Sequence, residues 1–451
     1  MGSTVAEPER IPRAAGPSGL RGITDETPRI VIIGGGIGGL MLATRLGRSF
    51  RATKLGRVYL IDKSPVHVWK PMLHAFAAGT LNAREDGIPF AAQAKRGNFV
   101  YLPGELFHLD PEKKLISIRI TDLQDKPDLE TKIPYDLAVI SVGNKANDFG
   151  IRGVHKHCHF IDSLPTAEAL NQSLREEVIY RSIAGGEIEV AIIGGGATGV
   201  EFAAETARMV DIGAQYGLDS LPKKLRITMI ETGATILNAF PTNIARDVTK
   251  KLEDLGVSIK TGVRVTNIDK TGIELDNGER IEAATKVWAA GTSNPDLLSG
   301  LDGIDLTRSG QVVVTPTLQT PSFETIFAIG DCASLTQRSD DEPLPPTGQV
   351  ARQQADYLAT AIPRFLKKQD LQPFKYRDRG SLVSLSQYGA YGTLAGKGPV
   401  PTIALRGWLA MKAHDVFYRV HQFGLYGLFG GFIVISRDWL NSLIKPPIGL
   451  N

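Results

Sequence analysis

Two glycine-rich segments have the spacing that binds the phosphates of a dinucleotide. In the first, Gly34, Gly36 and Gly39 follow the apolar run RIVII at residues 29–33 and precede a helix-like stretch. The first glycine permits a sharp turn, the second lets the backbone approach a pyrophosphate, and the third lets helix and strand pack closely. The helix N-terminus supplies the partial positive charge that attracts the phosphates. The segment therefore predicts a strand, a phosphate-binding turn and a helix.

An acidic residue follows the first loop at the distance that a ribose contact requires. Residues 58–61 predict a second strand, and Asp62 ends it a little over 20 residues beyond Gly39. A carboxylate in this place hydrogen-bonds the ribose of a bound dinucleotide. A single loop of this kind also occurs as an ordinary glycine turn, so the first loop alone leaves both interpretations open.

The same pattern occurs a second time. Residues 188–193 predict a strand, Gly194, Gly196 and Gly199 form the next loop, and Glu231 ends the strand predicted at 225–230. Two dinucleotides side by side indicate a flavin and a nicotinamide, because a hydride passes from one to the other and a single-cofactor dehydrogenase needs only one such fold.

Three later segments predict how the two halves are connected. Strand-like residues run into Gly143, into Gly291 and into Asp331. An aspartate after a strand and a glycine can hydrogen-bond the ribityl chain of a flavin. Asp331 reaches that chain only if the polypeptide returns to the first domain, so we expect the nicotinamide domain to be inserted in the flavin domain.

The predicted fold is therefore α/β, with two Rossmann-like dinucleotide-binding domains. The aromatic and basic C-terminal quarter adds a helical region that is expected to associate with a membrane. The expected units are a flexible leader at 1–28, a discontinuous FAD-binding domain at 29–160 and 292–375, an NADH-binding domain at 161–291, and a membrane-anchoring region at 376–451.

Composition excludes several other classes of protein. The chain has 451 residues and a formal charge of only +3, so no basic field indicates nucleic-acid binding. Cys158 and Cys332 form no CxxC pair, which fits a reducing compartment. The histidines at 155, 157 and 159 adjoin Cys158, but they alternate sides if the segment is extended and have no second pair at metal-ligand spacing, so we expect no metal.

From about residue 28 to the C-terminus, the sequence resembles the type II, non-proton-pumping NADH:quinone oxidoreductases of bacterial respiration. Four segments besides the glycine loops carry the resemblance: HVWKPMLHAFAAGT at 67–80, SVGNKANDFG at 141–150, FAIGDCA at 327–333 and GQVARQ at 348–353. The last is similar to the family's AQxAxQ signature beside the flavin and the quinone, with Gly348 in place of the family's alanine.

The resemblance implies a set of site residues. The catalytic group would be Glu201, near the nicotinamide and the flavin, with Gln349 and Gln353 near the quinone. By its position alone, Glu201 is a carboxylate favoured by a helix dipole. The residues expected to bind FAD or NADH are Gly34, Gly36, Gly38, Gly39, Asp62, Lys63, Lys70, Thr80, Gly143, Asp331, Gln349, Ala351, Gly194, Gly196, Gly199, Glu201, Glu231 and Gly291.

The C-terminal quarter is aromatic and basic, as expected of helices that lie in a membrane interface. Its longest uncharged apolar run, residues 423–435, would span roughly 20 Å as a helix, against a hydrocarbon core of about 30 Å. This run cannot cross alone. We therefore expect peripheral attachment to phospholipid, on the cytoplasmic face of the bacterial inner membrane by the family's habit. The alternative is a helical hairpin buried against the body or against a second copy.

The function that the resemblance implies is hydride transfer from NADH to FAD, followed by two-electron reduction of ubiquinone or menaquinone without proton pumping. A sulfide:quinone oxidoreductase-like flavoenzyme is the nearest alternative, since Cys158 and Cys332 could serve redox chemistry. The intact second loop and Glu231 count against it. A flavoprotein that senses NADH and acts through a partner is a third possibility. A homodimer is also possible.

Overall fold

The predicted strand at 29–33 lies in the middle of a five-stranded parallel sheet. The computed structural model describes residues 27–121, 126–215, 224–337, 342–395 and 403–444, so most of the expected leader lies outside the described residues. The strands of this first sheet, in spatial order, are β21 (Ile326–Ala328), β9 (Leu137–Ile140), β1 (Arg29–Ile33), β2 (Arg57–Asp62) and β5 (Val100–Pro103). Their continuous apolar runs suit a sheet that is buried on both faces.

The second sheet repeats this arrangement with the other half of the chain. Its five parallel strands, in spatial order, are β11 (His159–Phe160), β18 (Thr285–Trp288), β12 (Ile188–Ile193), β13 (Leu225–Glu231) and β14 (Val257–Thr261). After it, the chain returns to the first sheet, where β21 pairs in parallel with β9. The predicted insertion of one dinucleotide-binding fold in the other is therefore confirmed.

Ten helices surround these sheets in the described ranges. They are α1 (Ile37–Thr53), α2 (Leu73–Ala78), α3 (Ala83–Asp86), α4 (Phe90–Gly97), α5 (Val154–His157), α6 (Leu164–Ala184), α7 (Ala197–Gln215), α8 (Thr242–Asp254), α9 (Gly348–Leu366) and α10 (Trp408–Ile444). Helices α1 and α7 each begin at a glycine loop, as the sequence predicts.

The remaining strands form small antiparallel sheets and pairs. Three-stranded sheets are β6 (Glu105–Asp110), β7 (Leu115–Ile120) and β8 (Leu129–Pro134); β15 (Val265–Ile268), β16 (Gly272–Leu275) and β17 (Arg280–Glu282); and β23 (Ser381–Ser384), β24 (Ala390–Leu394) and β25 (Ile403–Gly407). Two-stranded pairs are β3 (Val66–His67) with β4 (Ile88–Pro89), β10 (Lys145–Ala146) with β19 (Thr292–Ser293), and β20 (Val312–Val313) with β22 (Ala333–Ser334). The β10–β19 pair joins the segments that cross between the two halves.

Segments distant in sequence complete the apolar core of the second half. Helix α2 follows β2 in the chain, but its Leu73 and Phe76 pack in the same buried cluster as the residues of α6 and α7. Val383 and Leu385, from the C-terminal part of the chain, lie in that cluster too. The second half is therefore assembled from three separate stretches of sequence.

The C-terminal helix is not continuous. Helix α10 is interrupted at Gly427, whose φ of 74° and ψ of 176° are not helical. None of the helices in the described ranges is both long and apolar enough to span a bilayer.

The extended conformation considered for residues 155–159 is wrong, because Val154–His157 forms one helical turn before β11 begins. His155 pairs with Asp148, and no metal-binding cluster occurs among the described residues.

Candidate active site

Two positions of the first glycine loop, Gly34 and Gly39, fit only glycine. Gly34 has a φ of 101°, and a Cβ there would lie 2.2 Å from the carbonyl oxygen of Ser141. A Cβ on Gly39 would lie 1.9 Å from the oxygen of Gly34. Gly36 is exposed at the start of α1 and has nothing within 4 Å of its Cβ position. The loop is thus tightly packed behind and open in front, where a pyrophosphate would meet the helix N-terminus.

Asp62 is already bonded to the first loop. Its Oδ2 accepts from the Gly35 N–H at 2.6 Å, and its Oδ1 accepts from the Ser64 N–H at 2.8 Å. Burial raises the pKa of Asp62, and the two backbone hydrogen bonds offset part of that shift. Lys63, by contrast, is exposed and forms an ion pair with Glu105 at 2.8 Å.

The second loop repeats this geometry. Gly194 has a φ of 113°, and a Cβ there would lie 2.7 Å from the carbonyl of Ala289. Gly196 again faces open space. Glu231 accepts from the Gly195 N–H at 2.7 Å, as Asp62 does from Gly35, and from the Gly233 N–H at 2.7 Å. The described residues at each loop therefore fit a dinucleotide.

Glu201 lies where three parts of the chain meet. Its Oε2 is 3.2 Å from His74 Nδ1 of α2, and its Oε1 accepts from the Ser384 N–H of β23 at 3.0 Å. Both side chains of the His74–Glu201 pair are buried. Burial lowers the pKa of His74, but Glu201 and Glu205 outweigh this effect and raise it overall. Sequence reasoning missed His74; the only signal was a histidine inside the segment assigned to flavin contact.

Lys70 and Asp331 interact electrostatically although 261 positions separate them in the printed sequence. Lys70 Nζ donates to the carbonyl oxygen of Asn144 at 3.0 Å and to its Oδ1 at 2.6 Å. Burial lowers the pKa of Lys70, and Asp331 opposes that shift. Burial raises the pKa of Asp331, with Lys70 opposing. Asn144 is a second residue that the sequence did not single out.

Three more expected residues lie at the junction of the two halves. Thr80 donates to Glu205 Oε2 at 3.0 Å, beside the His74–Glu201 pair. Gly143 has a φ of 71° and open space at its Cβ position. A Cβ on Gly291 would lie 2.3 Å from the ring of Phe149. Their contacts with a bound cofactor remain predictions.

The start of α9 closes over the first loop. A Cβ on Gly38 would lie 3.3 Å from the Ala351 carbonyl oxygen. Gln354 Oε1 accepts from the Gly330 N–H at 2.7 Å, which ties α9 to the turn that carries Asp331. The GQVARQ segment therefore lies against the first glycine loop.

The two glutamines of that segment have different environments. Gln349 donates from Nε2 to the Gly380 carbonyl at 3.2 Å, while its Oε1 is buried without a partner among the described residues. Because the Gly380 carbonyl can only accept, the amide orientation is fixed and the oxygen is available. Gln353 uses both of its amide atoms on the Arg377 backbone, donating at 2.9 Å and accepting at 3.1 Å. Gln353 therefore holds a loop in place.

Comparison with known families gives the class of the protein. A family model described as pyridine nucleotide-disulphide oxidoreductase matches residues 28–355, more than half of the chain. The chain belongs to this class of proteins with two dinucleotide-binding folds.

The closer family follows from curated relatives. A type II NADH:quinone oxidoreductase of Haemophilus influenzae is 34% identical over 442 residues, which cover 94% of this chain and 99% of the relative. One of Staphylococcus aureus is 27% identical over 383 residues, which cover 83% and 92%. The chain is a member of the type II NADH:quinone oxidoreductase family, as its motifs indicate.

Solved structures agree on the fold. NDH2 from Plasmodium falciparum in complex with NADH matches with a TM-score of 0.79 at 20% identity, covering 94% of this chain and all of that one (100%). A sulfide:quinone oxidoreductase from Aquifex aeolicus matches with a TM-score of 0.69 at 19% identity, covering 93% and 96%. At these identities the likeness concerns the fold alone.

Proposed function

We propose that this chain transfers a hydride from NADH to FAD and then two electrons to ubiquinone or menaquinone, without pumping protons. Membership of the type II NADH:quinone oxidoreductase family carries this conclusion. Two complete glycine loops in one chain support it, because each has its own acidic partner at hydrogen-bond distance. FAD, when bound, accepts the hydride and delivers the electrons to the quinone.

In this proposal each glycine loop binds one of the two cofactors. The first loop and Asp62 bind FAD, and the second loop and Glu231 bind NADH. Lys70, which donates to Asn144 and interacts electrostatically with Asp331, binds beside the flavin. The buried His74–Glu201 pair holds a proton in a place shielded from water, between the halves that bind the two cofactors.

The two glutamines take different roles. The available Oε1 of Gln349 accepts a hydrogen bond, so it fits an N–H of the flavin ring or a hydroxyl of the reduced quinone. A quinone carbonyl, which only accepts, does not fit this atom. Gln353 is a positioning residue, because its amide is already bonded to the Arg377 backbone.

The test separates the two half-reactions. NADH and then quinone are added anaerobically to the purified protein while flavin absorbance is followed. We expect bleaching by NADH and recovery with quinone, and we expect Gln349→Ala to slow recovery more than bleaching. Exposed Gln172→Ala on α6 serves as a glutamine control. Failure of quinone to restore absorbance in the unmodified protein would contradict the proposal and favour a sensor that acts through a partner.

The two cysteines do not support the sulfide:quinone alternative. Burial raises the pKa of Cys332 to about 11 and that of Cys158 to about 12, so both are neutral thiols at physiological pH. Thiol chemistry requires the thiolate. The second loop, with Glu231 in place, is also superfluous for sulfide oxidation.

The second half of α10 is the proposed contact with a phospholipid surface. Beyond Gly427, the side chains of Leu428 and Phe429 are 77% and 81% exposed, and Phe432, Ile433 and Trp439 are more than half exposed. Such a patch marks an interaction surface, and its mixture of aromatic residues and nearby arginines suits a membrane interface. The cytoplasmic face of the inner membrane is the proposed location.

Vesicle binding tests the membrane contact. The double variant Phe429→Glu, Phe432→Glu should lose binding to anionic phospholipid vesicles, whereas Ile183→Glu, at a residue 84% exposed on α6, should not. Molecular mass is measured in parallel. If the double variant still binds vesicles but changes from dimer to monomer, the patch is a homodimer interface instead.

A further inference from the structure

The first half of α10 is docked on the helix that follows the first glycine loop. A Cβ on Gly424 would lie 2.6 Å from Met41 Cε of α1. Because the helix breaks at Gly427, the Leu425 carbonyl accepts from side chains of the FAD-binding half instead. Its donors are Arg48 of α1 and Gln93 Nε2 of α4, the latter at 2.9 Å. Leu425 itself is fully buried. This half of α10 is therefore part of the body of the protein.

His421 connects the same helix to the loop itself. His67 Nδ1 lies 2.9 Å from the Gly35 carbonyl oxygen, and His67 Nε2 lies 3.3 Å from His421 Nε2. A carbonyl only accepts, so Nδ1 of His67 carries the proton. Burial lowers the pKa of His67 to about 4, so the ring is neutral and its Nε2 accepts from His421. The direction of the whole relay is thus fixed: His421 donates to His67, and His67 donates to Gly35.

The second loop shows why the Gly35 carbonyl needs a donor. The equivalent carbonyl of Gly195 accepts from the backbone N–H of Leu237 at 2.8 Å, within the same domain. In both loops the N–H of the same glycine donates to the acidic residue. Both backbone polar groups of this glycine are therefore held in each loop. Only the first loop relies on a side chain whose orientation is set by the C-terminal helix.

We propose that His421 is a positioning residue for FAD: through His67 it orients the Gly35 peptide, so that FAD retention depends on the docked C-terminal helix. This inference rests on the assignment of FAD to the first loop in the proposed function. Loss of His421 would leave His67 free to rotate away from Gly35. The N–H of Gly36, which shares a planar peptide group with the Gly35 carbonyl, would then no longer be held towards the phosphates.

The test compares FAD retention in full-length variants. His421→Leu removes the donor, and His421→Gln keeps an N–H where Nε2 lies. We expect His421→Leu to raise the FAD dissociation constant about 10-fold, as for a buried hydrogen bond lost, and His421→Gln to stay near the unmodified value. Val416→Ala, on an exposed position of the same helix, is the matched control. NAD⁺ affinity, which reports the second loop, should be unchanged in all three.

The outcomes distinguish a wrong role for His421 from a wrong assignment of FAD to the first loop. Gly36→Val fills the open front of the loop without a clash and should abolish FAD binding. If Gly36→Val keeps FAD, the assignment of FAD to this loop is wrong. If Gly36→Val loses FAD while folded His421→Leu retains it, only the role of His421 is overturned. Should His421→Leu not fold, His67→Asn and His67→Phe decide: asparagine keeps a donor for Gly35, so equal FAD loss in both variants refutes the relay.

Discussion

The two glycine loops have nearly the same backbone geometry but very different surroundings. Each has an acidic residue bonded to its second glycine and an open third glycine. At the fifth position, however, Gly38 is buried beneath Ala351 of α9, whereas the corresponding Thr198 is exposed. A side chain is tolerated at Thr198 because none of the described residues buries that position of the second loop.

The residues two positions beyond the loops are both buried but differ in chemical type. Met41 of α1 is fully buried and packs against Gly424 of α10. The equivalent residue of α7 is Glu201, which is paired with His74. Distant segments therefore cover both helices at this point, and the two loops differ in exposure at the fifth position, where Gly38 is buried and Thr198 is exposed. This difference suits a cofactor that stays bound in one loop and a substrate that enters and leaves the other.

The largest expected effect on stability comes from removing His74 from its buried pair with Glu201 of α7. His74→Leu leaves the buried Glu201 carboxylate without its cation and should lower the free energy of unfolding by about 3 kcal/mol. His155→Leu is the control, because its pair with Asp148 lies at the surface and should contribute less than about 1 kcal/mol. Urea unfolding of both variants measures the difference.

This stabilisation should depend on pH in a defined direction. The pKa of His74 is raised in the folded protein, so protonated His74 stabilises the folded state. This contribution is fully present below the ordinary imidazole pKa of about 6.5. The contribution is lost as pH rises through the raised value. The gap between the unmodified protein and His74→Leu should therefore narrow above that pH, and a constant gap would mean that the pair is not ionic.

Exchanging the fifth residues of the loops tests the enclosure directly. Gly38→Thr places a Cβ 3.2 Å from Ile329 Cδ1, with further atoms beyond it, and should cost about 2 kcal/mol and most of the bound FAD. Thr198→Gly should cost less than about 1 kcal/mol. Flavin content and unfolding curves measure both. Equal effects would show that the two loops are covered alike.

Asp62 and Glu231 should affect the binding of different cofactors. Glu231→Gln should raise the kcat/KM for NADPH relative to NADH by about tenfold, because the carboxylate repels a 2′-phosphate. FAD content should not change. Asp62→Asn should do the reverse, weakening FAD retention and leaving the NADH preference intact. Comparable kcat/KM values for the two nicotinamides in the unmodified protein would contradict the role of Glu231.

The smallest effect is expected from removing both thiols. Cys332 lies beside Asp331 on the FAD side, and Cys158 lies next to β11 of the second sheet. The double variant Cys158→Ser, Cys332→Ser should keep its turnover with NADH and quinone, since hydride transfer needs no thiol. If it binds FAD normally but no longer reduces quinone, thiol chemistry occurs in one of the two halves.

The two dinucleotide-binding folds can be predicted from local sequence alone. The strands at Arg29–Ile33 and Ile188–Ile193 begin and end where their apolar runs do, because glycine stops each run at once. The acidic strand ends and the return of the chain at β21 were also predictable, since local runs and fixed spacings encode them. The helical turn at Val154–His157 is not predictable in this way, because a single turn has too few residues to show a period.

Which residues surround those loops depends on the tertiary structure. His67 and His421 are 354 positions apart, and Glu201 and Ser384 are 183 apart. Nothing in the local sequence of either partner indicates the other. The spacing in GQVARQ likewise treats Gln349 and Gln353 alike, and only the Gly380 and Arg377 backbones distinguish them. A sequence pattern records neighbours along the chain, whereas burial and hydrogen bonding depend on neighbours in space, which the packing of the whole chain determines.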